Sequence, residues 1–242
     1  MSIVIAFKLL LATVPLNAPV YFDLEIANNS NQAIALDLGH NHKSALSFTI
    51  KAPGGEVVEV PALSSSGLGA IGRIQVEASG NYKRRYILNE WYRFAAPGKY
   101  SIQVHLNPEM LTASGATVQQ SKMELTLTPR DAQALERICK ELLNQLSNTS
   151  DAEQIANAAL ALSYVSDPVA VSYISEALKQ RKYSWQHLIP GLGEIRTPEA
   201  IDLLKQIDKQ GDVEAGAALA RYYLEALGKG KVPERRDRLY ID

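Results

Sequence analysis

The chain changes its hydrophobic period near its midpoint. Before residue 127, β-branched and aromatic residues alternate with polar ones; Tyr100, Ile102 and Val104 fall on one side of an extended run, Ser101 and Gln103 on the other. A two-residue period predicts strands with one buried face. Strands are expected over Ile3–Thr13, Val20–Asn28, Ala33–Leu38, Ala45–Lys51, Glu56–Pro61, Arg73–Ala78, Lys83–Leu88, Tyr100–Leu106 and Gln119–Leu127. Turn residues such as Asn28–Asn31, Pro53–Gly55, Ser79–Asn81 and Pro97-Gly98 separate them. Short strands at this spacing predict an antiparallel sandwich.

From Pro129 the period becomes helical. Ala132, Leu135, Ile138, Cys139, Leu142, Leu143 and Leu146 make an i, i+3, i+4, i+7 stripe. Thr128-Pro129, Asp167-Pro168 and Thr197-Pro198 each offer a capping residue followed by a proline suited to a first helical turn. The second half also repeats itself with a step of thirty residues. Leu162–Ala170 aligns with Leu192–Ala200, and the match continues from Tyr173-Ile174 to Leu203-Leu204 and from Lys179-Gln180 to Lys209-Gln210. On the preceding helices Ile155, Trp185 and Ala215 fall in register, then Ala159, Ile189 and Leu219, then Leu162, Leu192 and Tyr222. That step predicts stacked helical hairpins, with Trp185, Leu192 and Tyr222 at core positions. Pro190 lies inside one of these helices and predicts a kink or an early end there.

The run Ala95–Ile102, with Pro97-Gly98 followed by Tyr100, resembles a step found in bacterial immunoglobulin-like and fibronectin-like domains, and Val20–Ser30 is similar to their second strand. The resemblance implies a sandwich whose corner is pinned by the tyrosine hydroxyl. Leu192–Ala200, and Leu162–Ala170 with Ser163 in place of glycine, resemble the turn of HEAT-like repeats, including the short variant of bilin-lyase-type proteins. Together the two halves predict a multidomain α and β chain. An immunoglobulin-like β-sandwich (1–127) precedes a short HEAT-like α-solenoid (128–228) and a charged tail (229–242). Two full copies are fewer than a solenoid needs to stand alone. Leu127 and Pro129 leave no linker, so a rigid body with the sandwich capping the helices is expected.

Composition narrows the functional classes. Apolar residues make up 46% and charged residues 21% of 242, as in a folded protein, and the net charge of -1 gives no field that would gather nucleic acid. Cations and anions nearly balance on either side of residue 127. Cys139 is the sole cysteine, which excludes an internal disulfide. Lys8 interrupts the apolar start and no basic cluster precedes it, so a first strand is expected there and not a signal peptide. The compartment reads as cytoplasmic as written, or as periplasmic or cell-envelope if a leader has been removed. No stretch is long enough to insert into a membrane.

Candidate chemistry is sparse. Gly67–Gly72 spells a dinucleotide fingerprint, but a strand follows it where a helix is needed, so a loop is expected. His40 and His42, with His105 or Asp37, lack any ligand spacing rule and read as solvated histidines. Cys139 sits on the apolar stripe as a packing thiol. Lys83-Arg84-Arg85 and Arg235–Arg238 read as solvated charges. No catalytic frame and no cofactor site is found.

The expected function is therefore a non-catalytic scaffold that binds a protein or peptide along the second helices of the hairpins. Ser172, Ser175, Glu176 and Lys179 in one copy, and Asp202, Lys205, Gln206 and Lys209 in the next, stack at matching positions. Trp91 and Tyr183 fit equally a core, a seam between domains or an exposed anchor. An enzyme with a site in an interdomain cleft, and a protease inhibitor acting through Ser64–Gly72, are the alternatives. Partner identity and oligomeric state are not encoded legibly.

Overall fold

In the computed structural model, residues 3–38, 43–63, 72–107, 116–180, 185–211 and 214–231 are described. Among them, eleven strands occupy the N-terminal half and six helices the C-terminal half. The chain divides into two compact units. Residues 1–16 and 20–129 form the strand unit, and residues 130–242 form the helical unit together with Asn17–Pro19.

In the strand unit, β1 (Ile3–Leu9), β3 (Tyr21–Asn28), β8 (Asn81–Ile87) and β10 (Ala116–Gln120) form one sheet in the order β10-β1-β3-β8. A second sheet has the order β2-β11-β9-β5-β6, from β2 (Thr13–Pro15), β5 (Leu46–Lys51), β6 (Val57–Val60), β9 (Gly98–Leu106) and β11 (Lys122–Thr128). β4 (Ile34–Asp37) and β7 (Arg73–Val76) pair separately. The alternation at Tyr100, Ile102 and Val104 is realised, with exposures of 2%, 0% and 3%. Rings from both sheets meet in one core: Phe22 of β3 lies 5.7 Å from Phe48 of β5, edge to face. The hydroxyl of Tyr100 donates to the carbonyl of Ala96 at 2.8 Å, pinning the Pro97-Gly98 turn.

Two expected strands are each broken in the structure. Ile3–Thr13 gives β1 and β2, interrupted at Leu10–Ala12, and Gln119–Leu127 gives β10 and β11, interrupted at Ser121. Each pair of pieces switches sheets together, because β1 lies parallel to β10 in one sheet and β2 parallel to β11 in the other. The Ser121 carbonyl accepts the Val104 amide at 2.7 Å at the point of change. Alternation lapses at both places, in apolar Leu9–Ala12 and polar Gln119–Lys122, but nothing local shows that the pieces join different sheets.

The helices are α1 (Ala132–Asn148), α2 (Ala152–Ser163), α3 (Ala170–Gln180), α4 (Trp185–Ile195), α5 (Pro198–Gln210) and α6 (Glu214–Gly228). Asp131 caps α1 by accepting from the Ala134 amide at 3.0 Å, so the helix starts after Thr128-Pro129, not at it. Asp151 caps α2 in the same way, and Thr197 caps α5 with Pro198 in the first turn. Pro168 lies in a turn ahead of α3 and is not helical. α1, α3 and α5 pack side by side in one row, and α2, α4 and α6 in another, with each helix also against its chain neighbour.

α4 does not end at Pro190; it runs on to Ile195. Leu188 to Gly193 are all buried, and α2, α3, α5 and α6 all pack against α4. Proline removes one helical hydrogen bond, but packing on every side holds the remainder. The glycines let the neighbours close in. A Cβ at Gly191 would lie 2.7 Å from the Ser163 carbonyl of α2, and one at Gly193 would lie 2.1 Å from the Tyr223 ring of α6. Of the adjacent pair, Tyr223 is fully buried and Tyr222 only partly, which moves the expected core tyrosine by one place.

Candidate interaction surface on the helical unit

Ser172, Ser175, Glu176 and Lys179 lie along α3, and Asp202, Lys205, Gln206 and Lys209 along α5. Their opposite faces bury Ala170, Ile174 and Ala177 on α3, and Ala200 and Leu204 on α5, which turns the candidate positions outward. Ser172, Lys179, Asp202, Lys205, Gln206 and Lys209 are exposed, while Ser175 and Glu176 are half-buried. Two of the lysines are paired within their own helices. Lys179 reaches Glu176 at 3.8 Å and Lys205 reaches Asp202 at 3.0 Å, both with an i, i+3 spacing. Exposed pairs of this kind contribute little to stability.

α1 adds a third member to this row, which the thirty-residue repeat does not reveal. Leu135 and Cys139 of α1 hold the buried places of Ala170 and Ile174 on α3 and of Ala200 and Leu204 on α5. The offset from α1 to α3 is 35 residues, against 30 from α3 to α5. With that offset Arg137, Lys140, Glu141 and Asn144, all exposed, extend the candidate positions onto α1. The signal was the 3.6-residue stripe of α1; its longer step hid the correspondence.

The other candidates fall elsewhere. Trp91 is not an exposed anchor: it is 9% exposed and packs against Phe22, Phe48 and Tyr86 at 5.3–6.1 Å in the strand unit. Tyr183 lies outside the described residues, as do His40, His42, residues 64–71 and Arg235–Arg238. Trp185 is half-buried, beside Gly216 of α6. The exposed His105 meets the Thr49 hydroxyl at 2.8 Å, which in turn donates to Glu59. Among the described residues no three metal-ligating side chains come together. Cys139 is fully buried, and burial pushes its thiol up to about 12, so it is no nucleophile at neutral pH. No helix among the described residues is long and apolar enough to cross a membrane.

Two of the three cations in the basic run on β8, Lys83 and Arg85, are neutralised across the sheet, while Arg84 lies over the Tyr86 ring. β8 pairs with β3 so that Arg85 faces Asp23 and Lys83 faces Glu25. Arg85 donates to Asp23 at 2.9 Å, and Lys83 lies 3.0 Å from Asp23 and 2.8 Å from Glu25. Burial alone would raise the Asp23 carboxyl, but these cations outweigh it and hold it below the usual carboxylate range.

One carboxylate carries the local architecture of the helical unit. Asp167, 0% exposed in the turn before α3, accepts Nε and Nη2 of Arg130 at 2.6 and 2.9 Å, the Asn17 amide at 3.3 Å and the Val169 amide at 3.2 Å. Burial would raise its carboxyl; the Arg130 pair and the Val169 amide outweigh that and lower it. Asn17 also receives the Ser166 amide on its carbonyl at 3.1 Å, which fastens Asn17–Pro19 to this turn. With all its acceptor positions occupied, Asp167 holds structure and offers nothing to a substrate.

No family model and no curated protein matches this sequence. Among solved structures, it is similar to the CARDB domain of a Pyrococcus furiosus protein in complex with di-metal ions (8% identity, TM-score 0.31, 53% of this chain and 94% of that one). It is also similar to the alkylpurine DNA glycosylase AlkC of Pseudomonas fluorescens bound to DNA (13% identity, TM-score 0.27, 51% of this chain and 30% of that one). A third similarity is to a β-glucosidase of Erythrobacter marinus (10% identity, TM-score 0.32, 51% and 15%). The chain thus spans less than a third of the glycosylase and the glucosidase, and each likeness is confined to about half of this chain.

Proposed function

We propose that the chain is a non-catalytic binding protein, in which an immunoglobulin-like sandwich carries a short HEAT-like solenoid and the helical unit receives a protein or peptide segment. The receiving face is the outward side of α1, α3 and α5. Support comes from one observation above the rest: polar side chains recur at matching solvent-facing places on three adjacent helices, from Arg137, Lys140, Glu141 and Asn144 through Ser172 and Lys179 to Asp202, Lys205, Gln206 and Lys209. Regular spacing across a row of parallel helices gives an extended ligand a repeated set of contacts. Because Glu176 and Asp202 already neutralise Lys179 and Lys205, the face suits hydrogen bonding to a polar segment better than capture of a strongly charged one.

The test is affinity capture from a lysate, followed by purified binding with each recovered protein, comparing the natural chain with a Lys179→Glu/Lys205→Glu chain. Both substitutions fall on exposed positions, so folding is expected to be unchanged by circular dichroism. A purified partner whose affinity drops about tenfold or more, or roughly 1.4 kcal/mol, supports the reading. Equal binding by both chains ends it.

A further inference from the structure

β8 has an unfilled place beside it. It pairs with β3 on one side and has no neighbouring strand on the other among the described residues. β7 and β8 are joined by the short turn Glu77–Gly80, and consecutive strands so closely joined ordinarily pair. β7 pairs with β4 instead. The reason lies in Asn28, 1% exposed at the end of β3, whose side-chain amide donates to the carbonyls of Val76 at 3.1 Å and Glu77 at 2.9 Å. Those bonds hold the end of β7 to β3, on the other side of β8 from its open edge.

The register shows which groups that edge offers. Leu88 donates its amide to the Val20 carbonyl, and the Gly80 carbonyl accepts from the Asn28 amide, so the bonded pairs of this antiparallel ladder fall on the even-numbered residues of β8. Tyr82, Arg84 and Tyr86 turn their N–H and C=O groups toward β3. Asn81, Lys83 and Arg85 turn theirs outward, and all three residues are exposed. Such a row of donors and acceptors is a template for one more strand.

Charge decides what kind of strand fits. The side chains of Lys83 and Arg85 are matched by Glu25 and Asp23, but Arg84 lies over the Tyr86 ring and meets no acid among the described residues. Arg84 stands opposite the fully buried Leu24, on the core side of the sheet, and is itself half-buried. A second copy of this edge does not fit, because antiparallel pairing centred on Arg84 sets cation against cation throughout Lys83–Arg85. A neutral strand would cover Arg84 and leave it without a counter-charge. An acidic side chain directly across from it, at the close spacing of a non-hydrogen-bonded pair, supplies one.

We propose that the outer edge of β8 takes up an extended segment of a partner protein as an added strand, with an aspartate or glutamate opposite Arg84 and apolar side chains two places to either side, beside Tyr82 and Tyr86. The main chain of Lys83 and Arg85 holds the segment, and Arg84 selects it. The site lies in the strand unit and does not depend on the polar row of α1, α3 and α5, so each reading stands or fails alone.

The test pans a random-peptide display library on the immobilised full-length protein and titrates recovered peptides against the ¹⁵N-labelled chain. The expected peptides carry an acid flanked at i±2 by β-branched or aromatic residues. They slow amide hydrogen exchange at Lys83 and Arg85 and leave Tyr82 and Arg84, already bonded to β3, nearly unchanged. Arg84→Glu should weaken them by about tenfold or more. Lys83→Pro removes an outward N–H and spares the bonds to β3, so it should abolish binding where Lys83→Ala does not. If the proline chain fails to fold by circular dichroism, methylation of alternate backbone nitrogens in the peptide tests the same bonds: one set should abolish binding and the other leave it. Recovery of no peptide that protects Lys83 and Arg85 overturns the proposal. So does equal binding by the Arg84→Glu chain, by a folded Lys83→Pro chain or by both methylated sets.

Discussion

The two units fill their interiors by opposite means. The strand unit uses large rings. Phe7, Phe22, Phe48, Tyr86 and Trp91 form a connected cluster, with neighbouring centroids 5.3–6.4 Å apart. The helical unit uses small residues: Ala158, Ala159, Ala161, Gly191 and Gly193 are buried where α2, α4 and α6 approach one another, and Tyr223 enters the space that Gly193 leaves. Facing sheets stand about 10 Å apart and need bulk between them. Helices with no side chain at the crossing can come closer than the usual 8–10 Å. The strand core should therefore suffer most from deletion, and the helical core from addition.

The sharpest test of that contrast is a pair of deletions. Phe22→Ala should cost about 3–5 kcal/mol and Leu192→Ala about 2–5 kcal/mol, each confined to its own unit. With Trp91 and Trp185 as the two tryptophans, one in each unit, a Trp185→Phe background lets fluorescence follow the strand unit while ellipticity at 222 nm follows the helices. If Leu192→Ala leaves the helical transition unmoved, the repeat register is wrong. Next comes an addition. Gly193→Ala should cost about 1–3 kcal/mol through the Tyr223 ring, and a further Tyr223→Leu should recover part of the loss. A Gly193→Ala chain as stable as the natural one would show that the two helices are not in tight contact.

Each unit also holds a buried aspartate, and acid should separate the two. Asp23 and Asp167 are both held below their ordinary range in the folded chain, whereas the unfolded value is about 3.9. A lowered carboxyl contributes stability that is complete above the unfolded value and is lost as pH falls through the folded one. Unfolding should therefore become easier below about pH 4. Asp23→Asn should flatten that dependence in the Trp91 signal only, and Asp167→Asn in the helical signal only. The smallest effect runs the other way. Arg196→Gly relieves the left-handed backbone of that residue, φ 57, and removes two unpartnered donors, so the helical unit should gain on the order of 0.5–1 kcal/mol in denaturant titration.

Local features were readable and non-local ones were not. The Thr197-Pro198 cap and the inward run Tyr100-Ile102-Val104 depend on residues a few positions apart, and the central place of Leu192 on a repeat of constant thirty-residue step. The sheet switch at Leu10–Ala12 and Ser121 was hidden because pairing partners more than a hundred residues distant decide it. α4 passes Pro190 because four other helices enclose it. Asp167 read as a cap, but Arg130 and Asn17 make it the anchor of its turn, and their sequence separations of 37 and 150 give no periodic signal. Of the candidate surface, the outward direction of α3 and α5 was legible from the repeat. The place of α1 in the row was not, since its step is five residues longer.

Because the first strands lie parallel to the last ones, tension applied at the two ends of the strand unit runs along the β1–β10 and β2–β11 ladders instead of across them. Loaded in that direction, the cross-strand bonds of each ladder share the force and must break together, whereas a hairpin opened from its end gives way one bond at a time. Single-molecule stretching should register this unit as an abrupt rupture at high force, and the helices as a gradual extension at low force.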